Sequence, residues 1–139
     1  MAKVIAICNQ KGGTGKTTTA INLSTYLAVQ GKQVLLIDLD PQGNSTSGLG
    51  IDKSSLSGTI YDVLINNVDV NGSPIKSYVN NLQVIPADIN LIGAELELVD
   101  TPHIERKLLE IIEKIKPSYD YIIIDAPPSL GFIDRKSVV

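Results

Sequence analysis

The chain has 139 residues, of which 43% are hydrophobic, and it carries a formal net charge of −3. This balance predicts a single folded domain with a buried core and argues against a uniformly basic surface for nucleic acid. Its one cysteine, Cys8, excludes an internal disulfide and any site that takes two thiolates from one chain. No apolar run approaches membrane-spanning length, and a strand near the N-terminus leaves no room for a signal peptide, so we expect a cytoplasmic protein.

The first predicted elements are a strand and a helix, with a glycine-rich loop between them. Residues 3–8 are rich in apolar and β-branched residues, which is typical of a buried parallel strand. The loop at 11–17 reads Lys-Gly-Gly-Thr-Gly-Lys-Thr, and apolar residues then recur at helical spacing as far as Gln30, before a predicted C-cap at Gly31. A strand, a glycine loop and a helix N-terminus in this order direct backbone N–H groups and the helix dipole at a phosphate.

The residue types of this loop predict a role for each of its positions. Gly12, Gly13 and Gly15 would let the backbone wrap closely around a phosphate because they carry no Cβ. Lys16 would reach the β- and γ-phosphates of a nucleotide, and the Thr17 hydroxyl would ligate Mg²⁺. The alternative is a plain glycine-rich turn with exposed lysines, and the strand and helix on either side favour the phosphate site.

The loop departs from the ordinary P-loop in two ways. Gln10 stands where the pattern expects a glycine, and a second lysine, Lys11, precedes the glycines. A single lysine suffices to hold a nucleotide from one side. The second lysine therefore indicates that something else needs positive charge at the γ-phosphate.

The next predicted strand ends in a segment with two carboxylates. Residues 33–38 form a near-continuous apolar run and predict a second buried strand. Residues 38–50 then read as a glycine- and serine-rich loop, with Asp38 and Asp40 at its mouth. Such a segment could be a flexible connector. Its position favours a ligand site, since ligands of open parallel sheets bind beyond the carboxyl ends of the strands.

The remaining pattern continues the alternation of strands and helices and ends in another carboxylate. Four residues from Tyr121 are aromatic or aliphatic and lead into Asp125, which is how a P-loop protein presents its second Mg²⁺-associated carboxylate. We predict an α/β fold on this basis. Before that strand the predicted elements are a short helix at 59–65, a polar surface loop at 66–73, a strand at 82–86, and helices at 90–99 and 101–116.

Three segments in the right order give the chain a family resemblance. They are Lys-Gly-Gly-Thr-Gly-Lys-Thr-Thr at 11–18, Asp-Leu-Asp-Pro-Gln-Gly-Asn at 38–44 and Asp-Ala-Pro-Pro-Ser-Leu-Gly at 125–131. They resemble the deviant Walker A ATPases, and within these the ParA/Soj group that partitions plasmids and chromosomes. The resemblance implies a P-loop NTPase-like three-layer sandwich with a mainly parallel sheet, in one domain over 1–139 that is incomplete at its C-terminus.

The resemblance also implies the site residues. Lys11 is the signature lysine, which reaches across an ATP-sandwich dimer to phosphates held by the partner, and Gly12 stays small because that partner packs closely there. Asp40 helps to position or activate the attacking water. The implied catalytic residues are Lys11, Lys16 and Asp40, the nucleotide-binding residues are Lys11, Gly12, Gly13, Thr14, Gly15, Lys16, Thr17 and Thr18, and the Mg²⁺ residues are Thr17 and, through water, Asp125.

By the same resemblance, the cofactors are ATP and Mg²⁺ and the first partner is a second copy of the chain. A ParB/Spo0J-like centromere-binding protein is the implied stimulating partner. Non-specific DNA is a partner of the full-length family and would make the protein nucleoid-associated. For this chain DNA binding is in doubt, because the acidic balance supplies no basic surface of its own.

The chain departs from the family pattern after Gly131. Family members continue with further strands and helices, whereas residues 132–139 read as a non-family tail, so we expect a C-terminally truncated chain. One alternative function is a nucleotide-binding fragment that does not turn over ATP. Another is a MinD-like cell-division site ATPase, which needs a C-terminal amphipathic helix that this sequence does not show, so no membrane partner is expected.

Overall fold

A computed structural model of the protein describes residues 2–7, 15–40, 43–52, 56, 58–66, 68–87 and 101–126. Within these residues, five strands form one sheet that is flanked by helices. In chain order the elements are β1 (Lys3–Ile7), α1 (Gly15–Val29), β2 (Val34–Asp38), α2 (Asn44–Gly48), α3 (Ile60–Asn66), a 3₁₀ turn (Val70–Gly72), β3 (Ile75–Lys76), β4 (Leu82–Ile85), α4 (Thr101–Ile115), a 3₁₀ turn (Lys116–Ser118) and β5 (Tyr121–Asp125).

The strands lie in the order β1-β5-β2-β4-β3, so the last strand of the described chain sits between the first two. β1, β5, β2 and β4 are parallel, and the short β3 runs antiparallel to β4. In this register Asp125 lies beside Ile7 on one side and beside Asp38 on the other. The expected α/β fold with a mainly parallel sheet is confirmed, and the carboxyl ends of β1, β5 and β2 meet at one edge.

The sheet is covered by helices on both faces because its central strands are apolar on both faces. On β2, Leu35 and Ile37 pack into a core with α3 and α4, while Val34 and Leu36 pack with α1 on the opposite face. All five residues of β2 are buried, which fits a central strand of a parallel sheet. Each fully buried Leu, Ile or Val contributes about 1.5–3 kcal/mol. The arrangement is the expected three-layer sandwich.

Helix α1 ends as its sequence predicts. Gly31 adopts φ +90°, a left-handed conformation that favours glycine. Its N–H donates to the Ala28 carbonyl at 3.0 Å, and the Lys32 N–H donates to the Leu27 carbonyl at 3.2 Å. This pair of bonds is a Schellman motif, which satisfies two of the last carbonyls of the helix. The helix begins at Gly15, within the segment 11–17 that the sequence predicts as a loop.

The prediction of a loop throughout 38–50 is wrong, because residues 44–48 form α2. Its sequence, Asn-Ser-Thr-Ser-Gly, consists of residues with modest or poor helix propensity. Gly43 precedes it with φ +64° and turns the chain into the helix. Ser45 and Thr46 are fully buried. Contacts with distant parts of the chain therefore hold this helix, and those contacts are invisible to local propensity.

Two smaller features also differ from the sequence prediction. The polar loop predicted at 66–73 contains a 3₁₀ turn, and its Val70 is buried in the core with α3 and α4. The two-residue β3 carries no periodicity and was not predicted. The helix predicted at 90–99 and the tail at 132–139 lie outside the described residues. Across the described residues, no helix combines the length and apolar character needed to cross a membrane.

Ser24 provides a test of the packing between α1 and the sheet. Its hydroxyl is fully buried and, among the described residues, is the buried side-chain oxygen that has no hydrogen-bond partner. A buried unsatisfied polar group costs about 1–3 kcal/mol. We therefore expect Ser24→Ala to raise the free energy of unfolding by about 1 kcal/mol, measured by urea denaturation.

Alanine also favours the helix itself, so the comparison needs a matched variant. Asn22 lies on the exposed side of α1, and Asn22→Ala reports the gain in helix propensity alone. Ser24→Ala should stabilise the protein by more than Asn22→Ala does. An equal or smaller gain would mean that the Ser24 hydroxyl is satisfied.

Candidate functional site

The N-terminus of α1 places two predicted site residues at the carboxyl edge of the sheet. The helix starts at Gly15, so Lys16 and Thr17 lie in its first turn, where backbone N–H groups have no partner within the helix. The Lys16 side chain is buried although it carries a charge. A helix N-terminus with a lysine in its first turn concentrates positive potential, which suits an anion such as a phosphate.

Asp125 is the carboxylate around which this edge is organised. It is the last residue of β5 and is fully buried. One of its oxygens, Oδ1, forms an ion pair with Lys16 Nζ. The other, Oδ2, accepts hydrogen bonds from Thr17 Oγ1 at 3.3 Å and from Ser45 Oγ. A buried carboxylate needs such compensation, and Asp125 thereby joins the starts of α1 and α2.

Asp40 completes the group as a second carboxylate near the lysine. It lies two residues beyond the end of β2, and its Oδ2 is 3.6 Å from Lys16 Nζ. Its side chain is 17% exposed, against 0% for Asp125, so Asp40 faces the more open side of the cluster. The structure therefore brings together Lys16, Thr17, Asp40 and Asp125, which lie far apart in the sequence.

The donor atoms at this edge are suited to Mg²⁺. Thr17, Ser45 and Asp125 offer only oxygen atoms, the ligands that this hard cation prefers. Mg²⁺ commonly takes one or two protein ligands and completes its shell with water and phosphate oxygens. In the part of the chain that the structure describes, no group of three or more His, Cys, Asp or Glu residues gathers into an all-protein metal cage. The residues present fit a metal that is held jointly with a phosphate.

Three polar residues of this edge were not predicted as site residues: Asp38, Ser45 and Thr46. Asp38 is fully buried, and its Oδ2 accepts hydrogen bonds from the Thr46 N–H at 3.0 Å and from Thr46 Oγ1 at 2.7 Å. Its Oδ1 accepts from the Asp40 N–H at 3.0 Å. The available signal was an aspartate that closes an apolar strand and is followed eight residues later by a threonine.

The low polarity around Asp38 changes its acidity. Burial raises the pKa of the Asp38 carboxyl to about 7, the negative charge of Asp125 acts in the same direction, and the hydrogen bonds from Thr46 oppose them. Tyr61 packs beneath this segment, and its hydroxyl donates to the Leu39 carbonyl at 2.6 Å. Burial, followed by the charges of Asp38 and Asp40, raises the pKa of Tyr61. Tyr61 therefore stays neutral and keeps its proton for this hydrogen bond.

Of the other predicted site residues, the structure describes two, Gly15 and Thr18. Gly15 opens α1, and a Cβ at this position would meet no atom within 4 Å. Thr18 is exposed in the first turn of the same helix. Four predicted residues lie outside the described part of the chain: Lys11, Gly12, Gly13 and Thr14. The same applies to the motif at 125–131 beyond Ala126.

Comparison with known proteins finds relatives over nearly the whole chain. A family model described as an AAA domain matches residues 2–139. The sporulation initiation inhibitor protein Soj of Bacillus subtilis is 56% identical over 133 residues, which are 96% of this chain and 53% of that protein. The chromosome-partitioning ATPase Soj of Treponema pallidum is 49% identical over 133 residues, which are 96% of this chain and 51% of that protein. The chain thus spans about half the length of these curated relatives.

A solved structure agrees with the fold. Cobyrinic acid a,c-diamide synthase from Mycobacterium smegmatis, with bound ATP analogue and magnesium, superposes with a TM-score of 0.83 at 39% sequence identity. The match covers 94% of this chain and 53% of that chain. The described architecture is therefore also found in a protein that holds an adenine nucleotide and magnesium.

The acidity of Asp38 predicts a pH dependence of stability in Mg²⁺-free solution. The carboxyl has a pKa of about 7 in the folded chain and 3.8 as its ordinary value. At pH values between these two, the folded state retains a proton that the unfolded state has released. The contribution of the Asp38 carboxyl to the free energy of unfolding therefore falls as pH rises from about 4 to about 7. The slope from this one group is at most about 1.4 kcal/mol per pH unit.

The measurement is the free energy of unfolding at several pH values for the wild type and for Asp38→Asn. The free energy of unfolding of the wild type, taken relative to that of Asp38→Asn, should fall as pH rises through this range and level off above about pH 7. Glu113→Gln, which removes an exposed carboxylate, is the matched control for the loss of one charge. A difference between wild type and Asp38→Asn that does not vary with pH would show that Asp38 ionises in the folded chain as it does in the unfolded chain.

Proposed function

This chain belongs to the AAA domain family, and on that premise we propose that it is an ATP-binding and ATP-hydrolysing dimerisation switch of the ParA/Soj partition type. In this proposal ATP favours the dimer and hydrolysis releases it, so that the ATPase acts as a timer for moving plasmid or chromosomal DNA. A ligand can shift such an equilibrium only as far as it binds one state better than the other. ATP must therefore bind the dimer more tightly than the monomer.

The observation that carries the proposal is the gathering of charge at the start of α1. Lys16 Nζ contacts Asp125 and lies 3.6 Å from Asp40 Oδ2, and Thr17 Oγ1 lies 3.3 Å from Asp125 Oδ2. A lysine, a hydroxyl and two carboxylates at a helix N-terminus are the parts that phosphoryl transfer requires.

The roles follow from the chemistry of phosphoryl transfer. The protein has little covalent work to do, so it aligns the attacking water and neutralises charge that spreads over the γ-phosphate oxygens. Lys16 would supply positive charge to the β- and γ-phosphates. Asp40, on the open side of the cluster, would orient the attacking water or take up its proton.

Thr17 and Asp125 would hold Mg²⁺, the first through its hydroxyl and the second through water. Bound Mg²⁺ supplies charge neutralisation at the phosphates. Around them, the nucleotide would contact residues 11–18, whose glycines permit a close approach of the backbone. These are Lys11, Gly12, Gly13, Thr14, Gly15, Lys16, Thr17 and Thr18.

Lys11 would act on the nucleotide held by the partner subunit of the dimer. A lysine supplied in trans is comparable to an arginine finger, because it stabilises the charge of the transition state only when the second subunit is present. Hydrolysis would then depend on dimerisation. The second lysine of the loop, which a one-sided nucleotide site does not need, is the feature that supports this role.

The further partners of the proposal are a ParB/Spo0J-like centromere-binding protein, which stimulates hydrolysis, and non-specific DNA. We place the protein in the cytoplasm, and on the nucleoid where DNA binding is retained. The partition assignment is supported by a relative named as a chromosome-partitioning ATPase that is 49% identical over 96% of this chain. Turnover separates it from the alternative of a fragment that binds nucleotide without hydrolysing it.

Replacing Lys16 tests the nucleotide site. Lys16→Ala removes the cation that would pair with the phosphates, and charge-assisted hydrogen bonds contribute about 1.5–3 kcal/mol. We expect the affinity for ATP with Mg²⁺ to fall at least 10-fold and turnover to be lost, as measured by nucleotide titration and phosphate release.

The matched control is Lys32→Ala, which removes an exposed lysine just after α1, at the opposite edge of the sheet. It should leave both ATP affinity and turnover unchanged. A wild-type chain that binds no nucleotide at millimolar ATP would overturn the proposed function.

Replacing Lys11 tests the role in trans. Lys11→Ala should leave ATP affinity within about 3-fold of wild type, because Lys16 and Thr17 remain, and should lower turnover by about 10³-fold or more, as for loss of an arginine finger. The measurement is turnover per chain as a function of protein concentration. In the wild type this turnover should rise with concentration as the dimer forms. Equal turnover by wild type and Lys11→Ala would contradict a contribution in trans.

A further inference from the structure

One hydroxyl group joins the ends of two strands behind the candidate site. Thr46 Oγ1 donates to Asp38 Oδ2 at 2.7 Å, and it accepts a hydrogen bond from the Ala87 N–H at 3.0 Å. Asp38 ends β2, and Ala87 lies two residues beyond the end of β4. All three residues are fully buried. We call Asp38, Thr46 and Ala87 the hydroxyl relay.

Asp38 also fixes the backbone on either side of the relay. Its Oδ1 accepts from the Asp40 N–H, and its Oδ2 accepts from the Thr46 N–H as well as from the hydroxyl, in each backbone case at 3.0 Å. One carboxylate therefore sets both the backbone that carries Asp40 and the first turn of α2. Hydrogen bonds to a buried carboxylate are stronger than those between neutral groups.

The relay matters because α2 cannot hold its own position. It has five residues, fewer than an isolated helix needs for stability in water. Ser45, the residue before Thr46, donates to Asp125, and Asp40 lies 3.6 Å from Lys16. The side of the site that carries Asp40 and Ser45 is held by the hydrogen bonds of Asp38 and Thr46, together with the packing of α2 against α1. Lys16 and Thr17 stand on α1, which has no such dependence.

We propose that the Thr46 hydroxyl, together with Asp38, is a positioning group that holds Asp40 and Ser45 in place for ATP hydrolysis and does not itself touch the nucleotide. This inference rests on the proposed function. It separates Lys16 and Thr17 on α1, which would bind the nucleotide, from Asp40 and Ser45, whose placement would govern turnover. Disturbing the relay then slows hydrolysis while ATP still binds.

The chain offers a matched pair of substitutions at Thr46. Thr46→Val keeps the shape of the side chain but removes both the donor to Asp38 and the acceptor for the Ala87 N–H. Thr46→Ser keeps the hydroxyl and removes only a methyl group. A purely steric role of Thr46 would make serine the more damaging change, whereas the relay makes valine the more damaging one.

The first measurement is ATP affinity and turnover for wild type, Thr46→Val and Thr46→Ser. We expect Thr46→Val to lower kcat about 10- to 100-fold, as for a displacement of about 1 Å at a reacting group, with ATP affinity nearly unchanged. Thr46→Ser should retain most of the wild-type kcat. Wild-type kcat in Thr46→Val, or a parallel loss of affinity and kcat, would overturn the inference while leaving the proposed function intact.

The second measurement is amide hydrogen exchange, which does not depend on turnover or on whether Thr46→Val folds. In the wild type, the Ala87 amide should exchange as slowly as the Leu36 amide within the β2 ladder, although Ala87 is outside any strand. Fast exchange at Ala87 would overturn the relay. A wild-type protein whose Ala87 amide exchanges slowly, and which binds ATP but does not hydrolyse it, would instead contradict the proposed hydrolysis on which the inference rests. The two failures are therefore distinguishable.

Discussion

The burial of Asp125 is the constraint on which the arrangement of this edge depends. The strand order places β5 between β1 and β2, so its last carboxylate lies in the middle of the sheet with no access to solvent. An uncompensated buried charge would cost far more than the marginal stability of a small domain. Lys16, Thr17 and Ser45 supply that compensation from two separate helices. The contacts that offset the burial of this charge therefore also bring a cation, hydroxyls and carboxylates together at the candidate site.

The fold holds the two groups of site residues in different ways. Lys16 and Thr17 begin a 15-residue helix that packs on the sheet and ends in a Schellman motif at Gly31. Asp40 and Ser45 lie on a segment whose helix has five residues and depends on buried hydrogen bonds to Asp38 and Asp125. In the proposed function, a phosphate site on a long helix would thus lie beside a hydrolytic segment whose position depends on a few buried hydrogen bonds.

The parts of the structure that the sequence predicted are those with a local signal. The apolar runs gave β1, β2, β4 and β5, and the glycine loop with Gly31 gave α1 to within a few residues. Helix α2 was missed because its residues read as a loop, and it is held by contacts such as that of Ser45 with Asp125, 80 positions away. Asp38 was noticed as a carboxylate without a role, since its function depends on burial and on a hydroxyl brought back by a turn at Gly43. Of the site residues that the sequence predicts, Lys16, Thr17, Asp40 and Asp125 lie close together in space.

The antiparallel β3 affects how copies of this chain can meet. It is two residues long, its Lys76 is exposed, and among the described strands it lies at the margin of the sheet, next to β4. Exposed sheet margins are templates for unwanted pairing between chains, and proteins suppress this by keeping such strands short and placing lysine on them. A second copy that added a strand here would gain few backbone hydrogen bonds and would bring two lysines together. Self-association through strand pairing is thereby disfavoured at this margin, which lowers the tendency of the chain to aggregate through this side.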